Sequence, residues 1–283
     1  MSRRDDNVAV FLDTQKLYST NAALKEAVKR STAEQSYFAE GCRELAEFST
    51  EKCYDSPAKI VVSKKRSFEA ASAYKGKRVC VHNFASASNP GGGVTSGASA
   101  QEECLCRCST LFPCLESDRA FKMFYKPHRD ARDPLHNDDL IYTPDVVVFK
   151  SDTQNPTLLP ENEWYKVDIV TCAAPNLRSM PSNRYNTGDG DRAVKLTDKA
   201  LLELHIKRMK AILTACAKQG AEVVILGAFG CGAFENSPMV VAEAMRAVIP
   251  EFRNCFETIE FAVYCSPKDD SNFRAFEMKL VKL

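Results

Sequence analysis

Six short runs rich in β-branched and apolar residues restrict what this chain can become: "KIVVS" (59–63), "RVCVHNFA" (78–85), "DVVVFKS" (145–151), "KVDIVTCAA" (166–174), "AEVVILGAF" (221–229) and "TIEFAVYC" (258–265). Runs of this kind suit strands buried on both faces. Helical patterns near 192–219 and 238–249 separate the last three runs. A β-α-β-α-β order requires right-handed crossovers, so the chain is expected to form an α/β fold with a mostly parallel sheet between helices. Two amphipathic patterns precede it. One follows Thr14. The other follows Thr32, whose "TAEQ" reads as a capping box, with Phe38, Cys42 and Leu45 on one face. The simplest partition is a helical N-terminal extension (1–55) packed on an α/β core (56–283), together one structural domain without internal repeats.

With 283 residues the chain can bury a large core without cross-links. Its 38 basic and 37 acidic residues nearly cancel, which argues against binding nucleic acid by charge alone, although the sum would hide a local patch. The opening "MSRRDDNVAVFLDTQ" has no apolar core of signal-peptide length, and twelve cysteines are ordinary for a reduced protein of this size. A cytoplasmic address is expected, or a nuclear one in a eukaryote. In "CLCRCSTLFPC", Cys104, Cys106, Cys108 and Cys114 lack paired CxxC spacing, and their alternation would splay ligands around a helix. They read as small fillers and exposed thiols. No stretch approaches the roughly 20 apolar residues of a membrane span.

Ligands of open α/β sheets bind beyond the C-terminal ends of the strands. Two glycine-rich segments fall there: "NPGGG" after the strand ending near Phe84, and "GAFGCGAFENSP" after the strand ending near Leu226. Both lead toward helices, whose free N–H groups and positive dipole end suit phosphate. Neither fits a Walker or GxGxxG pattern. In the second loop Asn236 or Ser237 can cap the helix that Pro238 begins, and Phe234 is placed to pack on a sugar or base. Either loop alone could be a tight turn. Two at one sheet edge point to a ligand with two phosphates and at least one sugar.

Gln101, Glu102 and Glu103 follow the first loop and should open a helix. Adjacent helical residues point about 100° apart, so the two carboxylates are expected to divide the labour, one donating a proton and the other holding substrate.

Gly91-Gly92-Gly93, a short spacer and Gln101-Glu102-Glu103 resemble the catalytic signature of poly(ADP-ribose) glycohydrolases. "NFASASNPGGG", "DVVVFKSD", "TCAAPN" and "GAFGCGAFENSP" are similar to the compact bacterial-type members, over about residues 10 to 270. The resemblance implies a macrodomain-like fold, a mostly parallel mixed sheet sandwiched between helices. It implies cleavage of ribose–ribose glycosidic bonds from chain ends, releasing ADP-ribose. Glu103 would be the acid protonating the leaving 2′-oxygen, Glu102 would hold ribose hydroxyls, and Gln101 would support the loop. Gly91, Gly92 and Gly93 would let ribose and diphosphate lie on bare backbone, with Asn89 on the scissile ribose. Gly230, Gly232 and Ala233 would cradle the diphosphate from the other side, Phe234 would press on the distal ribose, and Asn83 would contribute from its strand end. No metal or cofactor is required. The implied partners are poly(ADP-ribose) or ADP-ribosylated protein, met by a monomer without membrane attachment or nucleic-acid reading.

Glycosidases in general pair an acid with a base or nucleophile about 5 to 9.5 Å away. Sequence neighbours guarantee neither spacing, so one acid whose conjugate base then activates water fits better, provided that burial keeps Glu103 protonated. The spacer "VTSGASA" contains no aromatic residue, and Ala233 stands where a bulkier residue would shape the pocket more tightly. The loop-rich 176–196 could change substrate reach, so preference for chain ends follows less firmly than bond type. Removal of single ADP-ribose groups from protein or nucleic acid is the enzymatic alternative. A non-catalytic ADP-ribose reader is the other, and it would have no need of the glutamate pair.

Overall fold

The β-branched runs pair side by side in the computed structural model, which describes residues 2–50, 54–183 and 188–281. Residues 184–187, within the stretch expected to bear on substrate reach, lie outside the described residues. Strands β1 (Ser36–Phe38), β2 (Lys59–Ser63), β3 (Val79–Ala85), β4 (Leu140–Val148), β5 (Tyr165–Ala173), β6 (Val223–Leu226) and β7 (Thr258–Ala262) form one sheet, ordered β1-β4-β5-β3-β6-β7-β2. The five strands from β5 to β2 run parallel, whereas β4 and β1 are antiparallel to their neighbours. With β3 central, the loops leaving β3, β5, β6 and β7 open at one end of the sheet.

Among the described residues six helices have eight residues or more: α1 (Arg3–Thr20), α2 (Ala22–Ala33), α3 (Gln101–Cys108), α4 (Asp198–Lys218), α5 (Pro238–Phe252) and α6 (Ser271–Leu280). Strand side chains alternate between two cores because successive Cβ atoms point to opposite faces. Cys80 and Val170 pack with Met209, Val248 and Phe276 beneath α4, α5 and α6, whereas Val81 and Ile169 pack with Phe11, Leu105 and Phe112 beneath α1 and α3. Leu24 and Ala27 of α2 cover Val147 and Phe149.

Several expectations need correction. The first helix begins at Arg3, not after Thr14, because Ser2 and Asp5 cap it reciprocally. Thr14 lies mid-helix and donates to the Arg107 carbonyl at 2.6 Å. Thr32 starts no helix either. It lies in the last turn of α2, and Gln35, read as the far side of a capping box, instead donates to the Cys114 carbonyl and Thr143 Oγ1. Phe38 then lies in β1, so the expected helical extension also contributes an edge strand. The run "DVVVFKS" belongs to a longer strand that starts at Leu140 and bulges between Thr143 and Val146, with Asp145 at φ 56°. Pro144 sits in that bulge, where its missing N–H costs no ladder bond. Finally, β2 is an edge strand and only half-buried.

Candidate active site

The chain leaves β3 at Ala85, passes through the glycine loop and enters α3 at Gln101, so α3 starts beside the strand it came from. Gln101 fastens the two together. Its Oε1 accepts from Phe84 N–H at 2.9 Å, and its Nε2 donates to Ser67 Oγ and the His82 carbonyl.

That anchorage fixes the next two residues. Glu102 is buried and accepts from Ser86 N–H at 2.8 Å and Asn83 Nδ2 at 3.2 Å. Glu103 Oε1 accepts from Gly93 N–H at 2.9 Å, whereas its Oε2 is buried and, among the described residues, has no hydrogen-bond partner. The expected separation of the two carboxylates does not occur. Both side chains bend toward Gly92, where an added Cβ would lie 2.6 Å from Glu103 Oε1 and 3.1 Å from Glu102 Oε2.

This convergence changes what the glycines are for. At Gly92, with φ 59°, a side chain would collide with the two carboxyls before it met any ligand. At Gly91 it would enter the Phe112 ring at 2.7 Å, and at Gly93 it would meet Ala98 at 2.9 Å. The bare backbone is needed first by the glutamates and the core around them.

Burial raises the pKa of both carboxyls. Glu102 is pushed up to about 8, the loss of solvent outweighing its N–H donors while the neighbouring Glu103 charge adds to the rise. Glu103 is raised by burial against the pull of Gly93 N–H and of the Arg107 guanidinium one turn along α3. Glu102 therefore keeps its proton near neutrality. Both oxygens of Glu102 are tied to donors, whereas among the described residues Glu103 Oε2 has no hydrogen-bond partner.

The second loop is organised by one side chain. Asn236, expected as a possible helix cap, does not cap α5; its Nδ2 donates to the carbonyls of Pro175 (2.7 Å), Gly230 and Phe234, and its Oδ1 meets His205 Nε2 at 2.8 Å. Ser237 occupies the cap position without a side-chain bond, and Pro238 opens the helix. Gly230, at φ 77°, abuts Ala174 and Asn236, whereas Gly232 has open space where a Cβ would be.

Between the loops lies a cavity of about 900 Å³, toward the upper end of the range for small-molecule sites. Every expected site residue is on its wall except two: Asn89, Gly92, Gly93, Gln101, Glu102, Glu103, Gly230, Gly232, Ala233 and Phe234 line it. Asn83 stands behind Glu102 as its hydrogen-bond donor, and Gly91 packs on Phe112. Phe234 is half-buried, with the Arg178 guanidinium 5.9 Å from its ring.

Sequence reasoning missed Tyr264 and Arg66, which meet across the far end of the cavity with the guanidinium 3.9 Å from the ring centre. The signal for Tyr264 was an aromatic two residues past β7, at the edge where ligands bind. The cysteine-rich segment joins the core, with Cys106, Cys108 and Cys114 fully buried and Cys104 on the cavity wall. In the loop-rich stretch Asp189 is buried and accepts from Asn176 Nδ2 at 2.7 Å and Ser88 Oγ at 3.3 Å, which ties the described part of it to the glycine loop.

Residues 11–151 match the family model of the microbial-type PARG catalytic domain. Poly(ADP-ribose) glycohydrolase from Thermomonospora curvata superposes with a TM-score of 0.83 at 30% identity, covering 97% of this chain and 99% of that one. The chain belongs to the microbial-type poly(ADP-ribose) glycohydrolase family. The Thermomonospora enzyme bound to the inhibitor ADP-HPD matches at TM-score 0.80 and 29% identity, covering 97% of this chain and 99% of that one. The family member from Deinococcus radiodurans in complex with ADP-ribose matches at 0.75 and 30%, covering 90% of this chain and 97% of that one. Comparison with curated proteins finds no match. The mixed α/β sheet between helices is the macrodomain-like fold expected of such a chain.

Proposed function

We propose that this chain hydrolyses the ribose–ribose bonds of poly(ADP-ribose) and releases ADP-ribose, with Glu103 as the general acid. The observation that carries the assignment is Glu103, a residue of the cavity wall whose Oε2 is buried and without a hydrogen-bond partner among the described residues. Glu103 Oε1 is pinned by Gly93 N–H, which fixes the direction of the free oxygen. The solved relatives named for ADP-ribose and ADP-HPD complexes support a ligand of this chemistry in the cavity.

In this reading the protonated Glu103 gives its proton to the 2′-oxygen as the C1″–O bond breaks. The resulting carboxylate, steadied by Gly93 N–H, takes a proton from the water that attacks the oxocarbenium-like centre. Glu102 receives ribose hydroxyls with the lone pairs its donors leave open, and Asn83 and Ser86 hold it in place. Gly232 leaves room for the diphosphate, and Phe234 bounds the far side. The active form of Glu103 is protonated, so turnover falls as pH rises through its raised pKa. Among the described residues no helix is long and apolar enough to cross a membrane.

Glu103→Gln keeps shape and polarity but cannot deliver a proton. Single-turnover hydrolysis of poly(ADP-ribose) is expected to slow about 10²- to 10⁴-fold, with ADP-ribose affinity retained. Release of ADP-ribose at the parent rate would place the acid elsewhere.

A further inference from the structure

The second glycine loop is braced by α4 from outside the cavity wall. Gly230, Gly232, Ala233 and Phe234 line the cavity. The N–H groups of Gly232, Ala233 and Phe234 have no backbone acceptor among the described residues, and N–H groups that a turn leaves over suit an anion. Their direction depends on Asn236. This buried amide donates from Nδ2 to the carbonyls of Pro175, Gly230 and Phe234, and its Oδ1 lies 2.8 Å from Nε2 of His205, a residue of α4. Carbonyls only accept, so the amide cannot be turned round, and the hydrogen between Oδ1 and the ring must belong to His205. His205 Nδ1 is buried and without a partner among the described residues, which leaves the neutral ring its one proton at Nε2. Burial pushes the pKa of His205 down to about 4, so this form persists at neutral pH.

We propose that His205 is a positioning residue for the ligand: by donating to Asn236 Oδ1 it fixes the amide that ties Pro175, Gly230 and Phe234 together, and so sets the loop for the diphosphate of ADP-ribose. The inference deepens the hydrolase reading and rests on it. Packing alone does not call for a histidine at this position. The ring stands edge-on to Phe229 with centroids 5.7 Å apart, a contact that an apolar side chain would also make. Such a side chain would remove the donor from Oδ1, and a buried acceptor without its donor is costly enough to turn toward another. Any such turn takes Nδ2 off the carbonyls of Gly230 and Phe234, the two ends of the stretch that lines the cavity. One turn further along α4, Arg208 serves other segments, donating to Asp138 and to the Ala173 carbonyl. Glu103 is held by Gly93 of the first loop. The second loop can therefore be loosened at His205 while the acid keeps its place.

The test compares the full chain with His205→Gln, His205→Asn and His205→Leu. Gln can place an amide N–H where Nε2 stands, Asn only where Nδ1 stands, and Leu has none. The Kd for ADP-ribose should stay within about twofold of the parent in His205→Gln and weaken at least about tenfold in His205→Asn and His205→Leu. Single-turnover hydrolysis of saturating poly(ADP-ribose) should stay within about threefold in all three, so that the loss appears in KM and not in kcat. Melting curves check folding, and should His205→Leu fail to fold, the Gln and Asn variants decide. Parent-like affinity in His205→Asn overturns the proposal. So does a loss in His205→Gln equal to that in His205→Asn, which would assign the effect to ring packing on Phe229. A parent chain that binds ADP-ribose but leaves the polymer intact would remove the hydrolase reading while the affinities still report on His205; a parent that does not bind ADP-ribose overturns both.

Discussion

Replacing Glu102 by Gln should make the protein more stable, and by an amount that depends on pH. The group ordinarily ionises at 4.5 and is pushed up to about 8 in the fold. Its folded pKa is raised, so the favourable balance present below the unfolded pKa is lost as pH rises through the folded one. At pH 7 the unfolded chain has given up this proton and the folded chain has not. The cost is about 1.4 kcal/mol per pH unit above the unfolded value, or about 3 kcal/mol at pH 7. Gln mimics the neutral carboxyl and carries no such cost. Chemical denaturation of parent and variant from pH 4.5 to 8.5 should show curves that meet at the acid end and diverge until about pH 8, with a melting-temperature gain at pH 7 of roughly 5 °C. Turnover should fall at the same time through loss of the ribose contact. Parallel stability curves across that range would mean that Glu102 is ionised in the folded protein, and that burial does not hold its proton.

Gly92→Ala should fold, at a cost of about 1–2 kcal/mol for an L-residue at positive φ, yet lose at least about 10²-fold in turnover because the methyl displaces both carboxyls; ordinary turnover would show that the glutamates yield freely. Phe234→Ala should reduce the melting-temperature rise given by ADP-ribose by more than it reduces the melting temperature of the free protein. A large loss of stability with unaltered ligand response would assign the ring to packing.

The strands were legible where both faces are buried, because β-branched runs such as "VVIL" have no other economical use. β4 was half-hidden because Pro144 and the bulge at Asp145 interrupt its pattern. The capping reading of Thr32 failed for a different reason. The local signal in "TAEQ" is sound, but Gln35 finds partners 79 and 108 residues away, and those tertiary bonds decide the turn. At the site the residue types and their order were readable and the geometry was not. Adjacent helical positions diverge at Cβ, and only the long side chains folding back over Gly92 bring the carboxyls together. The roles of Asn83 behind Glu102 and of Asn236 within the second loop depend likewise on contacts that no spacing encodes.

The bonds from α1 to the glycine loop and α3 also set an order of events during synthesis. Asn7 waits for Gly97, Thr14 for Arg107 and Val10 for Lys150, partners 90, 93 and 140 residues downstream. At about 5–20 residues per second the first helix leaves the ribosome several seconds before its seat exists. In that interval Phe11, buried at the end against Phe112, is uncovered. The catalytic wall is therefore closed by a helix that waits 90 residues or more for its seat, while the strands and helices beyond Lys150 are still to be made.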